Sequence, residues 1–326
     1  MNFIKPEGLK IGDYIGVIAP SSYINGREWP LYNKGVLALK KMGFRVKEGC
    51  TVKKWRWQSV QNPIAQAKDI NRMFSDRKVK AIFAATGGTL ASDVLPYIDF
   101  NNIIANPKPF IGMSDITTFH LAFLSKCRLI GYHMDNLIYG FGCFSSLGDT
   151  KNENIEREIF FKTLVDGTIS SITPSPKMEY WKNGKAEGKI IGGNLRMMNS
   201  LIGTDYFPPK ALFKNSVLFW EDFNSPLHMT IRNLIQLKQC GLFNLIGGLI
   251  VGNYSTLSND NNGNTVDSSL KNALLTMTKE YNFPILMMDN VGHYTLNYPM
   301  ILGLRVVLDA KKKSFQYLED AVRKPL

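Results

Sequence analysis

Ala81-Ile82-Phe83-Ala84-Ala85 is an unbroken apolar run, and Thr86-Gly87-Gly88 follows it at once. A strand with one face in water alternates apolar and polar side chains. A continuous run of this length belongs to a strand covered on both faces, as in a parallel sheet. The flanking sequence repeats the theme. Upstream, Asn62-Pro63 reads as the N-cap and first residue of a helix whose apolar stripe is Ala67, Ile70, Met73 and Phe74. Earlier still, Tyr14–Ala19 is β-rich and stops at Pro20-Ser21-Ser22. Leu31, Gly35, Ala38, Leu39 and Met42 share one helical face, Gly43 suits the end of that helix, and Phe44–Val46 reads as the next strand. Downstream, Pro109–Met113 is a strand, Ile116–Lys126 a helix and Ile130–Tyr132 a short strand. Strand–helix alternation of this kind predicts an α/β layer with helices on both faces of a parallel sheet.

The composition shifts after about Phe144. Residues 145–187 are polar, carry Pro174 and Pro176, and contain a helix at roughly 152–166. A second α/β region follows. Its expected strands are Ile190–Ile191, Val217–Trp220, Leu245–Val251, Ile285–Met288 and Arg305–Leu308. Its expected helices are Leu195–Leu201, Pro226–Gln239 and Ser268–Tyr281. The expected organisation is therefore an N-terminal domain over 1–145, a structured connection over 146–187 and a C-terminal domain over 188–326. Asn259–Asn264 is a polar surface turn that fits no calcium-loop template.

At 326 residues, 44% apolar and 20% charged, the chain has an ordinary globular composition. It is long enough to bury about 75% of its unfolded surface without metal or disulfide staples. The four cysteines, Cys50, Cys127, Cys143 and Cys240, form no CxxC pair, so zinc and dithiol chemistry are not expected. The first ten residues lack the apolar run of a signal peptide, and Phe243–Val251 is about half the length of a membrane span. These features predict a cytoplasmic protein with no membrane partner. The net charge of +12 is spread along the chain, densest at Lys53-Lys54-Trp55-Arg56-Trp57 and Lys311-Lys312-Lys313. Such patches can meet an anionic substrate, and their plainer reading is a solvated face.

In open α/β sheets the working groups gather beyond the carboxyl ends of the strands. Three such ends carry reactive types. Pro109-Phe-Ile-Gly-Met-Ser114-Asp115 leads a strand through a serine into a helix. A serine there has its hydroxyl exposed beside a helix N-terminus, although alone it reads first as an N-cap. Val217-Leu-Phe-Trp220-Glu221-Asp222 ends a strand on two carboxylates, either of which could orient a histidine or cap the next helix. Ile285–Met288 leads to Gly292-His293. Of the other histidines, His133 also follows a strand, His228 opens a helix, and His120 lies six residues into the helix after Ser114, pointing away from that turn. A hydroxyl, a base and an orienting acid at neighbouring strand ends suit nucleophilic hydrolysis. Gly87-Gly88 offers backbone N–H groups for an oxyanion or a phosphate, and Gly192-Gly193-Asn194 is a second turn of that kind. Neither a P-loop nor a GxGxxG dinucleotide fingerprint is present, which argues against a nucleotide-dependent oxidoreductase.

Taken in order, several segments resemble the LD-carboxypeptidase family of serine peptidases, which includes the microcin C immunity peptidases. They are Leu9 to Ser22, Gly87-Gly88, Leu95-Pro-Tyr-Ile-Asp99, Pro107 to Thr117, Gly188 to Leu195, Gly203-Thr204, Gly241 to Gly252 and Gly292-His293. Thr86 before the Gly pair and Thr89-Leu90-Ala91-Ser92 after it are closer to the immunity branch. Tyr132-His133-Met134 replaces the family's Tyr-Gly-Pro. The resemblance implies a flavodoxin-like or Rossmann-like N-terminal sheet domain with a smaller, β-rich α/β C-terminal domain. It implies Ser114 as nucleophile, Glu221 as acid and His293 as base, with an oxyanion hole from the backbone N–H groups of Gly88 and Asp115. Thr86, Gly87, His133, Trp181 and Lys182 are expected to line the substrate. If the Tyr180–Gly184 stretch overhangs the cleft, Trp181 would stack on a nucleobase and Lys182 would meet a phosphate; the plainer reading is a Trp that packs the domain connection. The resemblance also implies a homodimer, no cofactor, no metal and no nucleic-acid polymer. Two substrates fit: a peptidyl- or aminoacyl-nucleotide, and a cell-wall tetrapeptide losing its terminal D-Ala. A non-catalytic binding module on the same fold is the alternative of a different class, and the intact Ser114, Glu221 and His293 argue against it.

Overall fold

The computed structural model describes residues 3–53, 62–146, 148–169, 177–255, 266–293 and 296–324. The Lys54–Trp57 part of the first basic patch, Pro174, Pro176 and the Asn259–Asn264 turn lie outside the described residues. The chain divides into two compact units. One comprises Met1–Pro174, Pro299–Gly303 and Asp320–Leu326; the other comprises Ser175–Tyr298 and Leu304–Glu319. The expected connection over 146–187 is thus shared out. Its helix, Thr150–Leu164, belongs to the first unit and its strand, Met178–Lys182, to the second. Two late segments return to the first unit because their backbone bonds are made there. Met300–Leu302 pairs with Gly131–His133, and Ala321 N–H bonds Gly167 O.

The first unit is built on β1 (Tyr14–Ile18), β2 (Arg45–Glu48), β3 (Val79–Ala84), β4 (Phe110–Gly112), β5 (Gly131–His133) and β11 (Met300–Leu302). Their order is β11-β5-β4-β3-β1-β2, all parallel except the β11–β5 pair. The sequence 2-1-3-4-5 is the flavodoxin-like order, whose switch point lies between β1 and β3. The run expected to be covered on both faces is so covered: Ala81 through Ala85 are at most 1% exposed. Asn62 caps the helix Pro63–Ser75 by accepting from Ala65 N–H at 2.9 Å, and Ala67, Ile70, Met73 and Phe74 are buried beneath it. Phe110 anchors β4 among Phe123, Phe119 and Phe74 at ring separations of 5.2, 5.8 and 6.1 Å. Ring pairs of this kind add about 0.5–1.5 kcal/mol each beyond area burial, and they fix the strand that ends at Ser114.

The smaller second unit is richer in strands. It holds β6 (Met178–Lys182), β7 (Lys185–Asn194), β8 (Val217–Phe223), β9 (Gly248–Ser255), β10 (Ile285–Met288), β12 (Arg305–Asp309) and β13 (Ser314–Tyr317). The order is β13-β12-β7-β8-β9-β10-β6, with a parallel centre and antiparallel edges. Strands β6, β11 and β13 go beyond the sequence expectation; each is short and has no flanking helix to mark it. Lys311-Lys312-Lys313 is the exposed turn joining β12 to β13, closed by Lys312 N–H on Asp309 at 3.0 Å. That is the plainer of the two readings of this patch. No described helix is long and apolar enough to cross a membrane.

One buried polar feature of the first unit has no counterpart in the sequence patterns. Glu156, on the helix Thr150–Leu164, lies fully inside the unit beside the buried Asp135. Burial, and then repulsion from Asp135, push the Glu156 carboxyl well above the ordinary range. A carboxyl with a raised folded pKa binds more protons folded than unfolded above pH about 4.5, so its contribution to stability falls as pH rises. Glu156→Gln removes that dependence. Urea unfolding from pH 4.5 to 8.5 should show the variant gaining on the wild type as pH increases. A stability difference constant with pH would contradict the assignment.

Candidate active site

Strand β4 ends at Gly112, and the chain passes through Met113 to Ser114, which has a left-handed φ of 65°. A 3-10 turn over Ser114–Ile116 leads into the helix Thr117–Lys126. A residue with a side chain in this conformation costs roughly 1–2 kcal/mol and persists only where its surroundings hold it. Three side chains hold this one. Asn136 brackets Met113, accepting from its N–H at 3.2 Å and donating to its carbonyl at 3.4 Å. His120 Nε2 donates to Gly112 O at 2.9 Å, and burial pushes its imidazole down to about 3, so the ring is neutral. Asp115, 1% exposed, accepts from the Ser21 hydroxyl, from Ala91 N–H at 2.8 Å and from the Thr118 hydroxyl at 3.4 Å. Burial raises the Asp115 carboxyl, and these hydrogen bonds partly offset the rise.

Gly112 has φ 155°, and a Cβ there would lie 2.7 Å from Asn136 Oδ1. The Gly pair after β3 lies against the same turn. A Cβ on Gly87 would stand 3.0 Å from Ser114 Cβ and 3.2 Å from its Oγ. A Cβ on Gly88 would stand 2.2 Å from Ser21 Oγ. Loops from β1, β3 and β4 therefore meet at the switch point of the first sheet. Ser114 and Asp115 open a helix, where backbone N–H groups have no partner four residues back and the dipole favours negative charge. Thr86 is 6% exposed beside the Gly pair.

The second unit holds a histidine bonded to a carboxylate. His293 Nδ1 lies 2.8 Å from Glu221 Oε2, so the carboxylate accepts from the ring. Asn194 donates to the other Glu221 oxygen at 3.0 Å while its own Oδ1 caps the helix Leu195–Leu201 through Met197 N–H. Phe223 stacks on the imidazole at 4.3 Å and 18°. Gly292 has φ 134°, and a Cβ there would press on Asn253 O at 3.0 Å and on Glu221 Cβ at 3.2 Å. Of the two acids at the end of β8, Glu221 is the one bonded to His293. Asp222 is bonded instead to Arg196 Nε and the Thr230 hydroxyl, both at 3.0 Å, and burial raises its carboxyl.

Other expected positions are placed differently. Lys182 donates to the carbonyls of Thr278, at 2.6 Å, and of Tyr281, and lies over the Phe283 ring. It secures the chain after the helix Val266–Met277. Trp181 is 8% exposed, edge-on to Tyr254 at 6.4 Å, with the Lys271 ammonium 5.7 Å above its ring. These contacts pack it within the second unit. His133 is 1% exposed within β5 and close enough to His120 to help hold that ring neutral. It is paired in register with Gly112, on the strand that leads to Ser114. His120, expected to point away from the turn, instead reaches back to it. Ser21, Asn136 and Asn194 are the site residues that sequence reasoning did not single out. Only Asn194 carried a signal, the Gly-Gly-Asn turn between strand and helix.

Two family models match the chain. The LD-carboxypeptidase N-terminal domain matches residues 15–134 and the LD-carboxypeptidase C-terminal domain matches residues 187–308. A Bacillus subtilis relative named "Probable murein peptide carboxypeptidase" is 28% identical over 312 residues, covering 95% of this chain and 93% of the relative. The microcin C7 self-immunity protein MccF of Escherichia coli is 27% identical over 271 residues, covering 76% of this chain and 77% of that protein. The solved structure of MccF in complex with glutamyl sulfamoyl guanosine superposes with a TM-score of 0.84 at 23% identity, covering 98% and 99% of the two chains. With both family domains present in order, the chain belongs to the LD-carboxypeptidase family and is a serine carboxypeptidase-type hydrolase.

Proposed function

We propose that the protein hydrolyses an amide bond through an acyl-enzyme, with Ser114 as nucleophile, His293 as general base and Glu221 as its orienting acid. The observation that carries this reading is the 2.8 Å bond between His293 Nδ1 and a fully buried Glu221. With Nδ1 committed to the carboxylate, Nε2 is the nitrogen that accepts the serine proton. As Ser114 Oγ attacks the scissile carbonyl, Nε2 takes the hydroxyl proton and Glu221 stabilises the imidazolium. The tetrahedral oxyanion is received by the backbone N–H groups of Gly88 and Asp115. Nε2 returns the proton to the leaving amine. Water then resolves the ester by the same route in reverse. Asn194 and Phe223 keep acid and base in register, which spares the reorganisation that a loose pair would need.

The substrate class follows the immunity branch: a peptidyl- or aminoacyl-nucleotide whose acyl–nucleotide linkage is cut. Its support is the similarity to MccF in sequence and fold, together with the Thr86–Ser92 segment. A second reading is the muramoyl tetrapeptide, with release of terminal D-Ala. It is favoured by the murein peptide relative, which covers 95% of this chain, and by the commitment of Lys182 to backbone carbonyls. Incubating the protein in parallel with aspartyl sulfamoyl adenosine, whose acyl group is held on nitrogen, and a muramoyl tetrapeptide decides between them. Faster cleavage of the nucleoside compound supports the first reading; brisk D-Ala release with that compound intact replaces it with the second.

Whichever substrate turns over, Ser114→Ala should lower kcat by about 10⁴–10⁶ and leave the melting temperature near that of the wild type. More than a tenth of wild-type activity in that variant would remove Ser114 from the role. Glu221→Gln should cost about 10⁴ in kcat, because the imidazole loses its anionic partner. Asp222→Asn acts on the Arg196 and Thr230 contacts and should be read mainly in stability. Reversal of that order of severity would make Asp222 the orienting acid.

A further inference from the structure

Asp115 does more in the structure than supply a backbone N–H. One buried carboxylate collects donors from three segments. The Ser21 hydroxyl comes from the loop after β1. The backbone N–H groups of Ala91, at 2.8 Å, and of Leu90 come from the loop after β3. The Thr118 hydroxyl comes from the helix that Asp115 itself opens. Gly88 lies between the first two, so close to Ser21 that any side chain on it would overlap the Ser21 hydroxyl. Nothing in this arrangement suits acid–base work. All the bonds point inward, and the residue is 1% exposed.

We infer that the Asp115 carboxylate, acting through Ser21 and the Leu90–Ala91 backbone, is a positioning residue that sets the Gly88 N–H against the Ser114 turn. The inference rests on the hydrolytic reading above. It adds that the register between two backbone donors on different loops is set by one side chain. A tie of this kind matters most in the transition state, when the oxygen becomes an anion and needs both donors at once. An error of about 1 Å in such a register costs on the order of 10² in rate. Binding of the ground-state substrate depends on it far less. A single oxygen, Oδ2, takes both the Ser21 hydroxyl and Ala91 N–H, while Oδ1 faces the Thr118 hydroxyl. An Asn could keep its oxygen on the first two and turn its amide to that hydroxyl, so removal of the whole group, as in Asp115→Ala, is what breaks the tie.

The test uses Asp115→Ala, Ser21→Ala and the double variant of the full chain, assayed on aspartyl sulfamoyl adenosine or the muramoyl tetrapeptide, whichever the wild type cleaves faster. Asp115→Ala should lower kcat by about 10² with KM changed less than about threefold, since the loss falls on oxyanion stabilisation. Ser21→Ala should lower kcat about tenfold at an unchanged melting temperature, and the double variant should match Asp115→Ala, because both act on one tie. The pH profile of kcat/KM should keep its wild-type shape, the base being untouched. Wild-type kcat in Ser21→Ala overturns the inference and still applies if Asp115→Ala fails to fold. Losses that simply multiply in the double variant, or that appear in KM and melting temperature together in Ser21→Ala, overturn it too by making the role generally structural. Ser114→Ala runs alongside: if that variant still hydrolyses the substrate, the hydrolytic reading has failed. If it is dead while Ser21→Ala and Asp115→Ala are fully active, only the positioning role has failed.

Discussion

A single backbone angle organises the first unit. Ser114 takes a φ of 65°, a conformation that a residue with a Cβ does not keep unaided. The surrounding polar groups are arranged to hold it. His120 grips the carbonyl of Gly112, Asn136 grips Met113 on both sides, and Asp115 ties the start of the helix to two other loops. Each grip is a buried hydrogen bond, worth about 1 kcal/mol when made and more when one partner is stranded. Together they exceed the roughly 1–2 kcal/mol that the angle costs. The same groups explain the glycines, because Gly87, Gly88 and Gly112 stand where a Cβ would strike Ser114, Ser21 or Asn136.

The second unit applies a similar logic to a side-chain pair. Adjacent carboxylates end β8, and their opposite positions across the strand give them different neighbours. Asp222 meets a guanidinium and a hydroxyl, which satisfy it structurally. Glu221 meets an amide and an imidazole. Asn194 links this pair to the fold itself, since one oxygen caps a helix and the nitrogen holds the acid. Loss of that amide would loosen the helix start and the carboxylate together.

The strand ends bearing Ser114, Glu221 and His293 were legible because buried parallel strands leave continuous apolar runs and their loops carry the chemistry. Asn62-Pro63 marked its helix for the same local reason. What was not legible is long-range. Ser21 is 94 residues from Asp115, Asn136 is 23 from Met113, and Lys182 finds its carbonyl partners 96 and 99 residues on. No period or spacing encodes such partners. His120 was misjudged on helical geometry alone. Its target is the backbone of the preceding strand, reached because the helix starts with a tight 3-10 turn. The choice between Glu221 and Asp222 was open until the neighbours of each were in view.

The central claim is that the strained serine forms a covalent bond with the acyl group it cleaves. The most direct measurement is to quench the wild-type protein in acid during turnover and record its intact mass, followed by peptide mapping. The account predicts a mass increase equal to the acyl portion of the substrate, carried on the peptide containing Ser114 and decaying as substrate is exhausted. An adduct mapped to any other residue would contradict it, and so would steady turnover with no adduct at any quench time and no transfer of the acyl group to added hydroxylamine.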